Sequence, residues 1–387
     1  MKNEFTSSTL NVEEDRSQTT DDPNSSNQPG LQRRSFVKGL GIAAAAISAG
    51  TLLPAFATDS SKGASLSKGD AAILRFLAAA EILESDLWVQ YNELGGIQDD
   101  EVPFGTGNPA YTEALKVLDE DMDQYIHDNT EDELSHETFI NAYLISKGYD
   151  PVSLDGFRNL PSSTATGANN VGRLTNLMEL TVDTSWWTRY RARNGNPDLG
   201  DHFQQAVPSL AVNKHPAIPR NNDDVNDTNF LTAIAFTAGF HFAFIEQGGS
   251  SLYPMLAQRV TNVEVLRILL SIGGTEIAHF QTWQDKAGNA TPLDVVDPMT
   301  GVKVSFADLT DPAVGENLQA NLIMPEPTSF LNRDFPRCSV IRPTNTKNAA
   351  MGAVKGLTDD GLFIGQSAEF ASFIKELATQ ADAARRG

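Results

Sequence analysis

Two Glu-x-x-His motifs, Glu133-Leu134-Ser135-His136 and Glu276-Ile277-Ala278-His279, occur in this chain. Residues three apart project from one side of a helix, so each motif would offer a carboxylate and an imidazole to one point. Two other segments carry a Glu on an apolar helical stripe, at Glu81 and Glu246. Four helices supplying Glu, Glu-x-x-His, Glu and Glu-x-x-His present the ligand set of a carboxylate-bridged two-metal centre. Carboxylate oxygen with imidazole nitrogen suits iron, manganese or zinc, and ligand type alone does not choose among them.

The elements that must position these residues are legible as helical periodicities. A first core helix is expected from about Asp70 to Leu94, with the stripe Leu77, Glu81, Glu84, Trp88, Tyr91 and a stop at Gly95-Gly96. Glu81 and Glu84 share that stripe, so either could be its ligand. After an amphipathic helix near Tyr111–His127, a second core helix is expected from Thr130 to Lys147 with the stripe Glu133, His136, Ile140, Tyr143. A third begins near Thr228, is almost wholly apolar through Ile245, and carries Gly239, Phe242, Glu246, Gly249 and Tyr253 on one line. The fourth runs from Asn262 to Ala287, with Val265, Leu269, Ile272, Glu276, His279 and Trp283 in register.

Burying a carboxylate costs several kcal/mol unless it is paired or coordinated. Glu276, between Ile272 and His279, and Glu246, at the end of the most apolar segment, therefore need partners. Glu133 has a competing reading, because Thr130-Glu131-Asp132-Glu133 is also a capping box. His136, three residues on, tips it towards ligation. His127, His202, His215 and His241 have no Glu three positions upstream. His241 lies five residues from Glu246, about 140° around the helix, and reads as a core or supporting histidine. Trp88, Tyr91 and Tyr253 read first as packing residues, with redox or hydrogen-bonding roles as the alternative.

Between the second and third core helices, residues 149–226 form a long connection with a small-residue tract at Ser162–Asn170 and an expected helix around Leu174–Arg191. Beyond Gly288, Leu293–Phe306 reads as a β-hairpin around Pro298-Met299-Thr300-Gly301. A Pro/Asn-rich irregular region follows, and Glu369–Arg385 reads as a final helix.

The formal net charge is −21 and, beyond the N-terminus, no basic block interrupts it. Such a surface repels phosphate backbones and excludes nucleic acid as an expected partner. The single cysteine, Cys338, can form neither an internal disulfide nor a multi-thiolate metal site. Residues 1–30 are polar, and Gln32-Arg33-Arg34-Ser35-Phe36-Val37-Lys38 precedes an Ala/Gly-rich run ending in Ala55-Phe56-Ala57. Paired arginines before a weakly hydrophobic stretch and a small-x-small end resemble a twin-arginine export signal. Residues 1–57 are thus expected to be a cleaved leader, read by the twin-arginine translocase and directing the chain to the periplasm. Pro54 and the Ala/Gly composition argue against a membrane anchor.

Four segments carry a family resemblance: Ala78-Ala79-Ala80-Glu81-Ile82-Leu83-Glu84, Asp132-Glu133-Leu134-Ser135-His136, Ile245-Glu246-Gln247-Gly248-Gly249-Ser250-Ser251-Leu252-Tyr253 and Gly274-Thr275-Glu276-Ile277-Ala278-His279. They resemble the ferritin-like superfamily, and within it exported proteins related to plant desiccation-related proteins. The resemblance implies a mainly α fold. Residues 68–288 would form a ferritin-like four-helix bundle, 149–226 its long crossover or insertion, and 289–387 a mixed, irregular C-terminal extension. It also implies Glu81, Glu133, His136, Glu246, Glu276 and His279 as ligands of two metal ions, with Glu133 and Glu276 bridging. Iron leads among the implied metals, ahead of manganese or zinc.

The expected function is a redox-active di-metal protein, a di-iron oxidoreductase or ferroxidase that meets O₂ or peroxide in stress protection. The alternatives are a non-catalytic desiccation-related scaffold with an absent or structural metal, and a manganese-catalase-like enzyme. Homo-oligomers stay open, whereas the insertion and the tail would obstruct a ferritin cage. The leader reading has a direct test. Replacing Arg33 and Arg34 together by Lys should leave the protein in the cytoplasm, as cell fractionation would show. Normal export of that double variant would end the twin-arginine assignment.

Overall fold

The computed structural model describes residues 66–191, 203–311 and 347–384, with 325, 326, 334, 338 and 339. The arginine-bearing leader and His202 lie outside the described residues. The fold is mainly helical. Four long helices dominate it: α1 (Lys68–Gly95), α3 (Met122–Ser146), α6 (Thr228–Ala257) and α7 (Val263–Ala287). The shorter ones are α2 (Pro109–Leu115), α4 (Ser185–Arg191), α5 (Asn222–Asn226), α8 (Ala349–Asp360) and α9 (Ala368–Ala383). α1 packs on α3 and on α9, and α6 packs on α7.

The helix boundaries follow local chemistry. Ser67 caps α1 by accepting from the Asp70 amide at 3.0 Å. The Asp70 carboxylate in turn accepts from the amides of Thr261 and Asn262 at 2.8 and 3.2 Å, which ties the start of α1 to the α6–α7 turn. Asp227 caps α6 and Asn262 caps α7, as Asx side chains do at helix starts. α6 is long and apolar enough to cross a membrane by composition, but 78% of its most apolar window is buried inside the protein. Its hydrophobicity serves the core. Gly273 lets α7 approach α6 closely, since a Cβ there would stand 2.7 Å from Tyr253 Cβ.

Four boundaries differ from expectation. The amphipathic helix expected near Tyr111–His127 breaks after Leu115, and the chain turns helical again only at Met122. The second core helix starts at Met122, not Thr130, because no Gly or Pro interrupts Met122–Ser146 and the polar Asn129 and Thr130 find buried partners. Thr130 donates to the Ile126 carbonyl at 2.7 Å and to the Trp88 carbonyl at 3.3 Å. The capping box is therefore absent, since Thr130 and Glu133 sit inside the helix. The helix expected around Leu174–Arg191 is confined to Ser185–Arg191. The preceding stretch is instead a run of bends with an isolated bridge from Leu180 to His215. In the tail, Ala349–Asp360 is helical where irregular chain was expected. Gly352 and Gly356 weaken its pattern, and its start is stabilised from elsewhere: the Asp382 carboxylate of α9 accepts from the Ala350 and Met351 amides at 3.1 and 2.9 Å.

The hairpin forms as β1 (Leu293–Val296) antiparallel to β2 (Lys303–Phe306), with Leu293 opposite Phe306. A second short pair joins β3 (Pro325–Glu326) to β4 (Cys338–Ser339). The long connection is pinned to α1 by buried acids. Asp86 accepts from the Leu174 and Thr175 amides, both at 3.0 Å, and Glu93 pairs with Arg173 at 2.6 Å.

The apolar interior divides into two clusters, and every long helix contributes to both. One holds Leu74 and Leu77 of α1, Ile140 and Leu144 of α3, Leu252 and Leu256 of α6, Val265 and Leu269 of α7, and the inner faces of α8 and α9. The other holds Trp88 and Tyr91, Met122 and Ile126, Phe236 and Phe242, Phe280 and Trp283, together with the crossover and the hairpin. Along α3, α6 and α7 the change of cluster falls at the Glu and His positions of the sequence motifs.

The contact between α8 and α9 yields a stability test. An N-terminal cap is worth about 1 kcal/mol, and Asp382 also lies 3.6 Å from Arg259. Asp382→Ala should lower the unfolding free energy by about 1–2 kcal/mol in urea denaturation. An unchanged midpoint would show that α8 does not depend on this carboxylate.

Candidate metal centre

The six residues picked out by periodicity meet between the two apolar clusters. Their donor atoms form two overlapping groups, Glu81–Glu133–His136–Glu276 and Glu133–Glu246–Glu276–His279, each with its atoms within 4.8 Å of one another. Glu133 and Glu276 belong to both. Each helix contributes to the centre: Glu81 from α1, Glu133 and His136 from α3, Glu246 from α6, Glu276 and His279 from α7. The four glutamates are at most 1% exposed.

Glu133 spans the two imidazoles, one oxygen to each. Its Oε2 is 3.1 Å from His136 Nδ1 and its Oε1 is 3.1 Å from His279 Nδ1. His136 Nδ1 also lies 3.4 Å from Glu81 Oε2 and from Glu276 Oε1, while His279 Nδ1 lies 3.3 Å from Glu246 Oε2. The two rings stand apart, with centroids 6.5 Å from each other. Both therefore turn Nδ1 inward.

Surrounding groups hold these side chains in place. His279 Nε2 is 3.0 Å from an Asp132 carboxylate oxygen. A hydrogen on that nitrogen leaves the Nδ1 lone pair aimed at the carboxylates, the arrangement in which an outer carboxylate orients a ligating histidine. Asn129 donates from Nδ2 to Glu133 Oε1 and Glu246 Oε1, both at 3.0 Å, and accepts from Trp283 Nε1 at 2.8 Å. The Tyr253 hydroxyl donates to Glu81 Oε1. Glu84 points its Oε1 into the interior beside this group but joins neither donor set. Of the two candidates on α1, the geometry thus brings Glu81 into the cluster.

Whether cations fit here is decided by what the protein leaves unsatisfied. Glu81 Oε2, Glu246 Oε2, both oxygens of Glu276 and His279 Nδ1 are buried and accept or donate no hydrogen bond. Buried polar atoms in native proteins are nearly always partnered, so several orphaned atoms around one point indicate a missing partner. Four carboxylates with two neutral imidazoles balance the charge of two divalent cations. The donor set fits two such ions.

The electrostatics of the metal-free cluster agree. Burial pushes the Glu276 carboxyl well above its usual range, and Glu133, Glu84, Glu246 and Glu81 push it further. Glu84 is raised well above its usual range by the same causes, burial first and then the charges of Glu133, Glu246 and Glu81. Burial also raises Glu246, partly offset by His279. Burial alone would lower His136, but its hydrogen bond to Glu133 and the charges of Glu81 and Glu133 raise it to about 10. His279 is raised as well, its burial overcome by Glu246, Asp132 and Glu133. Without cations the cluster holds on to protons in their place.

The remaining histidines take other roles. His241 accepts at Nδ1 from the Tyr91 hydroxyl at 2.8 Å and approaches Asp360 through Nε2 at 3.0 Å, a fully buried chain outside the Glu–His cluster. Trp88 stacks on Phe242 and on Trp283 at centroid distances of 4.9 and 5.4 Å, and those two rings touch each other at 4.7 Å. His127 pairs with Asp99 at 3.0 Å near the surface, and His215 lies 2.9 Å from the carbonyls of Ser209 and Val212.

Sequence reasoning missed Asn129, Asp132 and the steric role of Gly249. Asn129 carried a usable signal, since it lies four residues before Glu133 on the same face. Asp132 projects from the edge of its helix and meets His279 only across the α3–α7 interface, which no local pattern shows. Comparison with known proteins gives no match: no family model, no curated protein and no solved structure matches this chain. The function has to be argued from the site.

At Gly249 a Cβ would stand 2.4 Å from Glu276 Oε2. Alanine there should improve helix propensity by about 0.5–1 kcal/mol while displacing the Glu276 carboxylate. Gly249→Ala should therefore leave the metal-free melting temperature unchanged or higher and weaken divalent-metal binding in calorimetric titration. A variant that binds metal as tightly as the parent would show that this contact does not set the carboxylate's position.

Proposed function

We propose that this chain is an exported, ferritin-like four-helix-bundle protein whose centre holds two metal ions, iron foremost, and is redox-active in stress protection. α1, α3, α6 and α7 are the four bundle helices of this reading, and the chain between α3 and α6 is the long crossover such bundles use. The observation that carries it is the pair of overlapping donor groups sharing Glu133 and Glu276. Glu81 and His136 would complete one ion's ligands, Glu246 and His279 the other's. When bound, a pair of such ions supplies electrons to O₂ or peroxide, which is the chemistry of a ferroxidase or peroxide-consuming enzyme. The chain's own residues orient the donors and exclude bulk water. Asp132 and Asn129 fix the ligands, and the apolar clusters on both sides keep the layer dry. Export to the periplasm through Arg33-Arg34 accords with a protein that folds around its metal before crossing.

Metal analysis of the protein purified without chelator should give close to two ions per chain, with Glu276→Ala losing at least one of them and abolishing Fe²⁺ oxidation or peroxide consumption. Metal at a hundredfold excess over Kd stabilises a fold by about 2.7 kcal/mol. The melting temperature of the parent should therefore drop on chelation, while that of Glu276→Ala barely responds. A parent that purifies metal-free, ignores added Fe²⁺ and Mn²⁺ and is stabilised by Glu276→Gln would leave a non-catalytic scaffold.

The sign of the pH dependence is a second test. His136 and the raised carboxyls of Glu276 and Glu84 hold protons more tightly in the folded metal-free chain than in the unfolded one. Their stabilisation is fully present below the unfolded pKa values and is lost as pH rises through the folded ones. For His136 that window runs from 6.5 to about 10. Metal binding must displace the same protons, so affinity should rise across the window. Thermal melts of chelated and metal-loaded protein should therefore diverge as pH increases. Parallel curves would contradict a site shared by protons and metal.

A further inference from the structure

A cavity of about 440 Å³ opens beside the metal cluster, between α1, α6 and α8. Three residues of the cluster's immediate surroundings, Glu81, Gly249 and Tyr253, form part of its wall, so cavity and centre are contiguous. The rest of the wall is largely hydrocarbon, with Phe76, Leu83, Leu87, Phe244, Met255 and Leu357 among its side chains. Pockets that take small molecules measure about 300–1,000 Å³ and are apolar with a few convergent polar groups.

Two observations separate this space from loose packing. The first is polar. Glu84 lines the cavity with a buried Oε1 that has no hydrogen-bond partner, whereas Glu81 on the same wall turns its Oε2 towards His136. Glu84 is not needed by either donor group, so its free oxygen is an open hydrogen-bonding position at the edge of the centre. The second is steric. α8, which belongs to the C-terminal extension, borders the cavity with Gly352, exposed at its mouth, and the half-buried Gly356, and a Cβ built on either contacts nothing within 4 Å. Each glycine inside a helix is unfavourable relative to alanine, and a side chain at either position would narrow the cavity. The extension holds a wall in place without filling the space.

We infer that this cavity binds a neutral, largely hydrocarbon molecule with one polar end group, of the class of a medium-chain alcohol, its chain along the apolar wall and its polar end at Glu84. An anionic end group at Glu84 is disfavoured because it would face the glutamates of the centre, whereas the lining cation, Lys347, is exposed to solvent. The inference deepens the proposed two-metal reading by naming the organic molecule the centre would meet, and it rests on that reading only for this consequence. Binding to the cavity requires no metal.

The test uses 1-octanol and octanoate with the chelator-treated full chain in isothermal titration calorimetry, alongside metal analysis of the same preparations. Octanol should bind, and octanoate should bind at least tenfold more weakly. Gly352→Leu and Gly356→Leu, made singly, should each weaken octanol binding at least tenfold with metal content and melting temperature held. If octanol does not bind the parent, binds both variants as tightly as the parent, or binds no better than octanoate, the cavity assignment is overturned, whatever the metal analysis gives. Octanol binding with the expected pattern in a chain that takes up no metal would retain the cavity and overturn the two-metal reading alone.

Discussion

The desolvation of four converging carboxylates is the constraint around which this protein is arranged. Carboxylates buried without compensation are among the most unfavourable groups a fold can hold, and here Glu81, Glu133, Glu246 and Glu276 converge with only two imidazoles for cationic partners. They cannot be satisfied along the chain, because each helix contributes only one or two members. The layer forms only when all four helices are docked. Docking is provided by the apolar clusters on either side, in which Leu, Ile and Phe stripes of the same helices interlock. Apolar burial supplies the favourable free energy, and the polar layer spends part of it on a site.

The elements outside the four long helices serve that arrangement. The connection between α3 and α6 is anchored by Asp86 and the Glu93–Arg173 pair, and it sends Trp186 and Trp187 into the second cluster. The hairpin is held to the same region by Arg220, which bridges Asp224 to Asp297 at 2.8 Å on each side. α8 and α9 cover the first cluster and are tied to it through Arg259 and Asp382. Each tie is an ion pair or a charged cap between segments distant in sequence. Such groups fix register where apolar packing alone would permit sliding.

Much of the centre was legible because its signals are local and periodic. An acid three residues before a histidine on an apolar stripe is improbable on a solvated face, and Glu246 and Glu276 stood out as acids with no reason to be buried. The boundaries were less legible. Thr130-Glu131-Asp132-Glu133 satisfies the capping rule as written, yet Thr130 finds its partners in the Ile126 and Trp88 carbonyls, and the helix runs through. α8 was obscured by its glycines, which weaken a helical pattern and here border a cavity. Residues 174–184 read as helix but form bends bridged to His215 at Leu180.

Helix faces, the separation of Glu-x-x-His motifs onto different helices, and the exclusion of thiolate ligands are properties of residue type and spacing, and the sequence alone determined them. Which acid of α1 enters the cluster was not among them. Glu81 and Glu84 share a stripe, and only the placement of α6, with Tyr253 donating to Glu81 and Gly249 making room for Glu276, separates their roles. The same holds for Asp132 behind His279 and for the cavity beneath α8. Periodicity tells which side of a helix faces inward. The distance and rotation at which two inward sides meet come from packing across the interface, and that belongs to the tertiary structure.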